Sequence, residues 1–250
     1  MSENLFLITN DDGFRAEGLE VLSELLKPLG RVVIAAPDIE QSACSHAITL
    51  ARPLRTNQFA PDCWSVDGTT TDCVLLASQK LLPHLPDAVF SGINHGSNLG
   101  DDVTYSGTVA GAFEGCLLGV RSLALSAGDQ ERLKDPACLE LLGKLIGNLL
   151  RMDWPKDVLL NVNLPPSGVE LRGIRLTRLG RRHYAESVIE NTDPRGKVYY
   201  WIGGVDPRWY GDADSDFQAT AEGFISVTPL HLDLTHYPSL ELFRRFESKI

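Results

Sequence analysis

The chain has 250 residues, 43% hydrophobic and 22% charged, which fits one large α/β domain or two small ones rather than a disordered chain. Its 33 acidic and 23 basic residues give a formal charge of −10, which argues against a broad nucleic-acid-binding face and makes any phosphate substrate depend on locally concentrated positive charge. No apolar run approaches the ~18 residues of a membrane span, the polar start Met1-Ser2-Glu3-Asn4 does not read as a signal peptide, and five scattered cysteines without a Cys-x-x-Cys pair fit reduced thiols in a cytoplasm.

Leu5-Phe6-Leu7-Ile8 reads as a buried strand that runs into Thr9-Asn10-Asp11-Asp12-Gly13. Residues 15–27 place Leu19, Leu22, Leu25 and Leu26 at helical spacing, and Pro28 and Gly30 stop that helix. A second strand follows at residues 31–36, so the opening unit is a βαβ crossover and the sheet starts out parallel. Residues 47–57 and 63–67 read as shorter extended pieces, and Thr69 to Asp72 as a helix start. Residues 87–91 are a third core strand, followed by a Gly- and Asn-rich loop from Gly92 to Tyr105. A small-residue helix (108–118), a strand (120–126), an amphipathic helix (136–151) and a strand (157–163) complete the regular part.

The pattern then changes. Residues 182–190 and 197–202, separated by Asp193-Pro194-Arg195-Gly196, signal a hairpin. Its Tyr184, Tyr199, Tyr200 and Trp201 are many aromatics for an exposed arm, and an isolated hairpin is marginal in water, so it is expected to pack on a partner subunit. Folding back onto its own domain is the alternative. A late strand at 223–228 and a closing helix at 239–248 end the chain. There is no linker or internal repeat, so residues 1–250 read as a single α/β domain.

Four loops follow predicted strands and bring oxygen ligands to the carboxyl edge of a parallel sheet, where ligands bind in open α/β folds. They hold Asp11-Asp12, then Gln41-Ser42, then Ser91 to Gly100 with Asn94, then Asp101-Asp102 to Thr108. Carboxylate, amide and hydroxyl oxygens without cysteine suit Mg²⁺ or Mn²⁺ rather than Zn²⁺. A turn-forming Asn is the plain alternative at Asn94, and a loop serine such as Ser42 needs no special role. Ser106 or Thr108 can cap the following helix. With Gly107 between them, hydroxyls, backbone N–H groups and the helix dipole would face an anion. His46 and His95 are weaker candidates for proton transfer, and His183, His231 and His236 lack metal spacing. No Gly-x-Ser-x-Gly, Gly-x-Gly-x-x-Gly or P-loop string is present in these loops, which counts against a serine hydrolase, a dinucleotide dehydrogenase and a P-loop nucleotidase. Adjacent Asp11-Asp12 also lacks the Asp-x-Asp of a haloacid-dehalogenase-like phosphatase.

These strings resemble the SurE-type survival-protein nucleotidases. The resemblance rests on Thr9-Asn10-Asp11-Asp12-Gly13, Ala36-Pro37-Asp38 through Ser42, Ala47-Ile48-Thr49 with Arg52-Pro53-Leu54, Ser91 through Gly100, Tyr105-Ser106-Gly107-Thr108-Val109, and Gly223 through Leu230. It implies a Rossmann-like three-layer, mostly parallel α/β sheet with a protruding β-hairpin (182–203) and a C-terminal exchange segment (230–250), assembled as a homodimer or homotetramer. It further implies a cytoplasmic 5′-nucleotidase of the acid-type phosphatase class, acting on nucleoside 5′- or 3′-monophosphates and in some members on short polyphosphate, without nucleic-acid or membrane partners. One divalent ion, Mg²⁺ or Mn²⁺, would sit on Asp11, Asp12, Ser42 and Asn94. Phosphate would meet Ser106, Gly107 and Thr108, with Asn98 near.

The expected mechanism is attack by a metal-activated water, oriented or deprotonated by Asp11 or Asp12. A covalent Ser106 nucleophile is the enzymatic alternative, and a non-catalytic nucleotide-binding regulatory protein the non-enzymatic one. Three positions depart from the family pattern: Ala43 where Gly usually follows the metal-site serine, Thr70 where Pro is usual, and Phe113 before Glu114-Gly115.

Overall fold

The computed structural model describes residues 3–183, 188–202 and 208–247. In chain order these form β1 (Leu5–Thr9), α1 (Glu17–Leu26), β2 (Arg31–Pro37), β3 (Thr56–Ala60), β4 (Cys63–Val66), α2 (Thr70–Leu76), β5 (Ala88–His95), α3 (Gly107–Leu117), β6 (Arg121–Ala127), α4 (Pro136–Leu149), β7 (Val158–Leu164), β8 (Gly173–Leu176), β9 (Arg181–His183), β10 (Val188–Thr192), β11 (Val198–Ile202), β12 (Arg208–Tyr210), α5 (Asp216–Ala221), β13 (Phe224–His231) and α6 (Tyr237–Glu247).

β1 lies at the heart of the sheet, with every residue buried. Neighbours on a strand point to opposite faces, so an unbroken apolar run needs cover on both. Phe6 and Ile8 pack with Leu19, Leu22 and Leu26 of α1 and with Leu142 and Ile146 of α4. Leu5 and Leu7 face the other way, toward Cys73 and Val74 of α2. α3 covers that second face farther along, where Val109, Ala112 and Cys116 meet Ala124 and Leu159. Burying side chains of this size is worth about 1.5–3 kcal/mol each, which is why β1 tolerates a charged turn at its end.

The nine-stranded sheet runs β3-β4-β2-β1-β5-β6-β7-β13-β8. The ladder is parallel from β4 through β2, β1, β5 and β6 to β7. β3 and β13 pair antiparallel with β4 and β7, and β8 runs parallel to β13. Two small antiparallel ribbons stand apart: β10 with β11, and β9 with β12. The architecture is therefore a mixed, mostly parallel α/β sheet with helices on both faces. Among the described residues no helix is long and apolar enough to cross a membrane.

Three elements differ from the sequence reading. The third core strand does not stop at Ser91. It runs to His95, with a register shift between Ser91 and Asn94 before Asn94 pairs Ser126 and His95 pairs Ala127. The ladder offered by β6 overrides the turn propensity of Gly92 and Asn94. Residues 47–55 form no regular element, so the extended piece expected over 47–57 begins only at β3. The expected hairpin at 182–203 is present over β10 and β11, but Arg182 and His183 at its expected start belong to β9 and pair with β12 instead, and Tyr184 with its neighbours at 185–187, and residue 203, lie outside the described residues. The closing helix is α6, and 248–250 of the expected exchange segment also lie outside them.

One close approach sets where the site lies. Gly18 of α1 sits so near β5 that a Cβ there would be 1.9 Å from the carbonyl oxygen of Ile93. α1 thus rests on the backbone immediately before Asn94. Gly18→Ala is expected to push α1 off β5 and lower stability by about 1–3 kcal/mol, several degrees in midpoint. Calorimetry of the variant checks this, and an unchanged midpoint would show that the contact carries no weight.

Candidate functional site

The carboxyl ends of β1, β2 and β5 lie side by side, and the turns that leave them bring the paired carboxylates together with Ser42 and Asn94. A cavity of about 350 Å³ opens there, lined by Asp11, Ser42, Asn94, Asn98, Ser106 and Arg182, with His95 beside them. A larger hollow of about 440 Å³, near Asn4, Arg121 and Trp154, lies by the start of β1 and has no such donor set. The convergent oxygen atoms, not the volume, identify the site.

Asp11 is buried and accepts a hydrogen bond from the Thr108 hydroxyl. Its carboxylate lies against the first residue of α3, where a Cβ on Gly107 would come within 2.8 Å of Asp11 Oδ2. Burial pushes the Asp11 carboxyl up to about 6, opposed by the Thr108 hydrogen bond and reinforced by the charge of Asp12. Asp12 is half-buried. The backbone N–H of His95 donates to its Oδ2 at 3.1 Å, and the His95 ring stands 3.8 Å from Oδ1. Burial raises this carboxyl as well, against the pull of His95 and with a contribution from Glu40. Burial is the leading cause at both carboxyls, and the neighbouring charge of Asp12 adds to it at Asp11.

Asn94 donates its amide nitrogen to the carbonyls of Gly96 (2.8 Å) and His95 (3.3 Å). That fixes the amide plane and turns Oδ1 into the acceptor available to a cation. Ser42 is exposed, and its hydroxyl donates to Glu40 at 2.7 Å. Ala43, next to it, has φ 58°. In this left-handed region glycine carries no penalty and an L-residue costs about 1 kcal/mol, so the departure from glycine leaves the backbone conformation in place at some strain. The Thr70 departure has a physical role. Its hydroxyl donates to the Asn10 carbonyl at 3.1 Å, tying the start of α2 to the turn that carries Asp11.

Ser106 is the N-cap of α3 and accepts from Val109 N at 3.1 Å. Thr108 is fully buried and its hydroxyl is committed to Asp11, so at Thr108 the group left for an anion is the backbone N–H. Asn98 is held by a buried amide network. Its N–H donates to Asn163 Oδ1, its Nδ2 to the Ser126 hydroxyl, and its carbonyl accepts from Asn161 and Asn163. Of the histidines, His95 lies at the site, whereas His46 pairs with Glu114 at 3.0 Å in a neighbouring apolar groove beside Phe113 and Leu234.

Sequence reasoning missed Glu40 and Arg182. Glu40 was hidden in an ordinary polar loop. Arg182 arrives from β9, and only tertiary pairing brings it to the cavity.

The donor set fits a hard divalent cation by its chemistry: two carboxylates, one amide oxygen and one hydroxyl, all oxygen. Half of this set, Asn94 and Ser42, consists of neutral oxygens, and among the described residues there is no cluster of three or more His, Cys, Asp or Glu side chains that could hold a metal. Linkage gives a test in the metal-free protein. Between the ordinary carboxyl value, 3.8, and about 6, the folded state holds a proton on Asp11 that the unfolded chain has lost. Stability therefore falls as pH rises through that window, by about 3 kcal/mol from this group. Asp11→Asn is expected to flatten that fall in urea melts run with chelator between pH 4 and 7. An identical slope in the variant would remove Asp11 as its source.

The family described as "Survival protein SurE" matches residues 6–186. The chain is similar to the "5′-nucleotidase SurE" of Gemmatimonas aurantiaca, 52% identical over 237 residues, covering 92% of this chain and 93% of that one. It is 48% identical over 248 residues to the "5′-nucleotidase SurE" of Syntrophotalea carbinolica, covering 97% of each. Among solved structures, the SurE protein from Aquifex aeolicus superposes with a TM-score of 0.84 at 40% identity, over 97% of this chain and 99% of that one.

Proposed function

The chain belongs to the SurE survival-protein family, and from that premise we propose that it is a 5′-nucleotidase: a divalent-metal-dependent phosphomonoesterase that releases phosphate from nucleoside monophosphates. One observation carries the reading. The buried carboxylate of Asp11 touches both Thr108 and Gly107, so the acidic turn and the amino end of α3 form one continuous surface. A site for a cation and a site for an anion then share a wall, which phosphoryl transfer requires.

Asp11, Asp12, Asn94 and Ser42 would hold one Mg²⁺ or Mn²⁺. Bound there, such an ion supplies Lewis-acid polarisation of the phosphoryl group and a lowered pKa for a coordinated water. The backbone N–H groups at Gly107 and Thr108, with the α3 dipole behind them, bind phosphate oxygens and stabilise charge that grows in the transition state. Asn98 orients the substrate from the opposite loop. Asp12, the more exposed of the two carboxylates, and Asp11 are the groups able to align or deprotonate the attacking water. Ser106 acts as a cap and positioning group rather than as a nucleophile, a role its bond from Val109 N supports. Short polyphosphate is a second substrate class for the same anion site.

The single domain assembles as a homodimer or homotetramer through its arm and tail. Support comes from apolar surface with no cover in the monomer. Trp201 is 64% and Ile202 88% exposed on the arm, and Phe243 and Phe246 are exposed on α6. Surfaces of this kind mark interfaces. The cysteines are free, in keeping with a reducing cytoplasm.

Phosphate release from a nucleotide panel with Mn²⁺, Mg²⁺ or chelator tests the mechanism. Chelator and Asp12→Asn are each expected to reduce turnover by on the order of 10²-fold or more. Undiminished turnover in chelator would overturn it. Trp201→Glu is expected to shift the protein to smaller species in sedimentation, and an unchanged assembly state would exclude the arm as an interface.

A further inference from the structure

Arg182 is the only lysine or arginine among the described residues lining the site cavity. Several independent contacts fix its place. Its backbone N–H donates to Asp101 Oδ2 at 2.8 Å, and its Nη1 to the carboxylate of Asp102. The guanidinium lies over the ring of Trp209, 5.4 Å from the centroid, and Trp209 is stacked on Phe217 at 5.5 Å. Asp216, fully buried, joins the strand to the site loop, accepting from Gly100 N–H at 2.7 Å and Gly180 N–H at 2.8 Å. Asp101 and Asp102 belong to the turn that leads into Ser106, and Asp102 lines the same cavity.

We propose that Arg182 is a substrate-contacting residue that holds the phosphate oxygens of the phosphomonoester, with Asp102 and Trp209 as positioning residues for its guanidinium. The proposal rests on the phosphomonoesterase reading and adds a second source of positive charge to it. The cavity carries Asp11 and Asp102, with Asp12 beside them, in a chain of formal charge −10. A dianionic substrate meets repulsion there that a single divalent ion bound to two carboxylates leaves largely uncompensated. A guanidinium is suited to the task because its five donors form a planar fork. One edge can engage Asp102 while another meets a phosphate. The face of Trp209 fixes the plane of that fork, so little side-chain freedom is lost on binding. A lysine, a point charge without the fork, would satisfy Asp102 but hold phosphate less well.

The test uses the full-length, Mn²⁺-loaded protein. Hydrolysis of a nucleoside monophosphate and of p-nitrophenyl phosphate is measured together with calorimetric binding of inorganic phosphate. Wild-type protein with no hydrolysis would overturn the nucleotidase reading, while the phosphate titration still decides the role of Arg182. Arg182→Gln is expected to weaken phosphate binding by on the order of 10-fold and to lower kcat/KM for both substrates by on the order of 10²-fold, with Mn²⁺ affinity unchanged. Arg182→Lys should fall between the two, and free guanidinium should restore part of the activity of Arg182→Ala. Asp102→Asn should raise KM more than it lowers kcat. If Arg182→Gln does not fold, Arg182→Lys, which keeps a cation for Asp102, decides by its weaker phosphate binding. Phosphate affinity equal to wild type in Arg182→Gln or Arg182→Lys overturns the proposal, as does a loss of activity recovered neither by Arg182→Lys nor by guanidinium.

Discussion

Two adjacent carboxylates held at the end of a completely buried strand repel each other and lose hydration, and the protein alone offsets this only in part. The Thr108 hydroxyl and the His95 backbone N–H each give one hydrogen bond, yet both carboxyls remain above their ordinary range. The rest of the site is arranged around this residual cost. Gly107 lacks a side chain so that α3 can abut Asp11. Asn94 presents its oxygen because its nitrogen is bound elsewhere. The apolar core beneath β1 supplies the stability that lets an unfavourable turn persist.

The parallel ladder explains why the groups meet. β1 pairs with β2 on one side and with β5 on the other, so their carboxyl ends reach the same edge. Gly18 presses α1 against Ile93 and sets the height of Asn94 relative to that edge. Thr70 does the same for the Asn10 carbonyl from the opposite face. The position of each donor is thus fixed by an element whose own place depends on hydrophobic packing.

Much of this was legible in the sequence, for physical reasons. Unbroken apolar runs at β1 and β2 and the leucine spacing of α1 reflect burial on both faces and on one face, patterns that local sequence carries directly. The Thr69–Asp72 capping box and the Ser106 cap lie within a few residues of the helices they start. The end of β5 was not legible, because Gly92, Asn94 and Gly96 have turn chemistry and only the β6 ladder makes that stretch a strand. α5 was missed because it is six residues long and depends on packing against the sheet rather than on periodicity. Arg182 could not be found by spacing at all, since its partner Asp102 lies 80 positions away.

The amides around Asn98 have a consequence for how fast and how selectively the site can work. Its backbone N–H and carbonyl are both tied to asparagines of a core strand, so the Gly-rich loop is ordered before anything binds. A loop fixed in this way loses little conformational entropy when a ligand arrives. Discrimination by this loop then rests on fit to a preformed surface. Substrates that share the phosphate but differ in the base would be separated by contacts beyond the phosphate site.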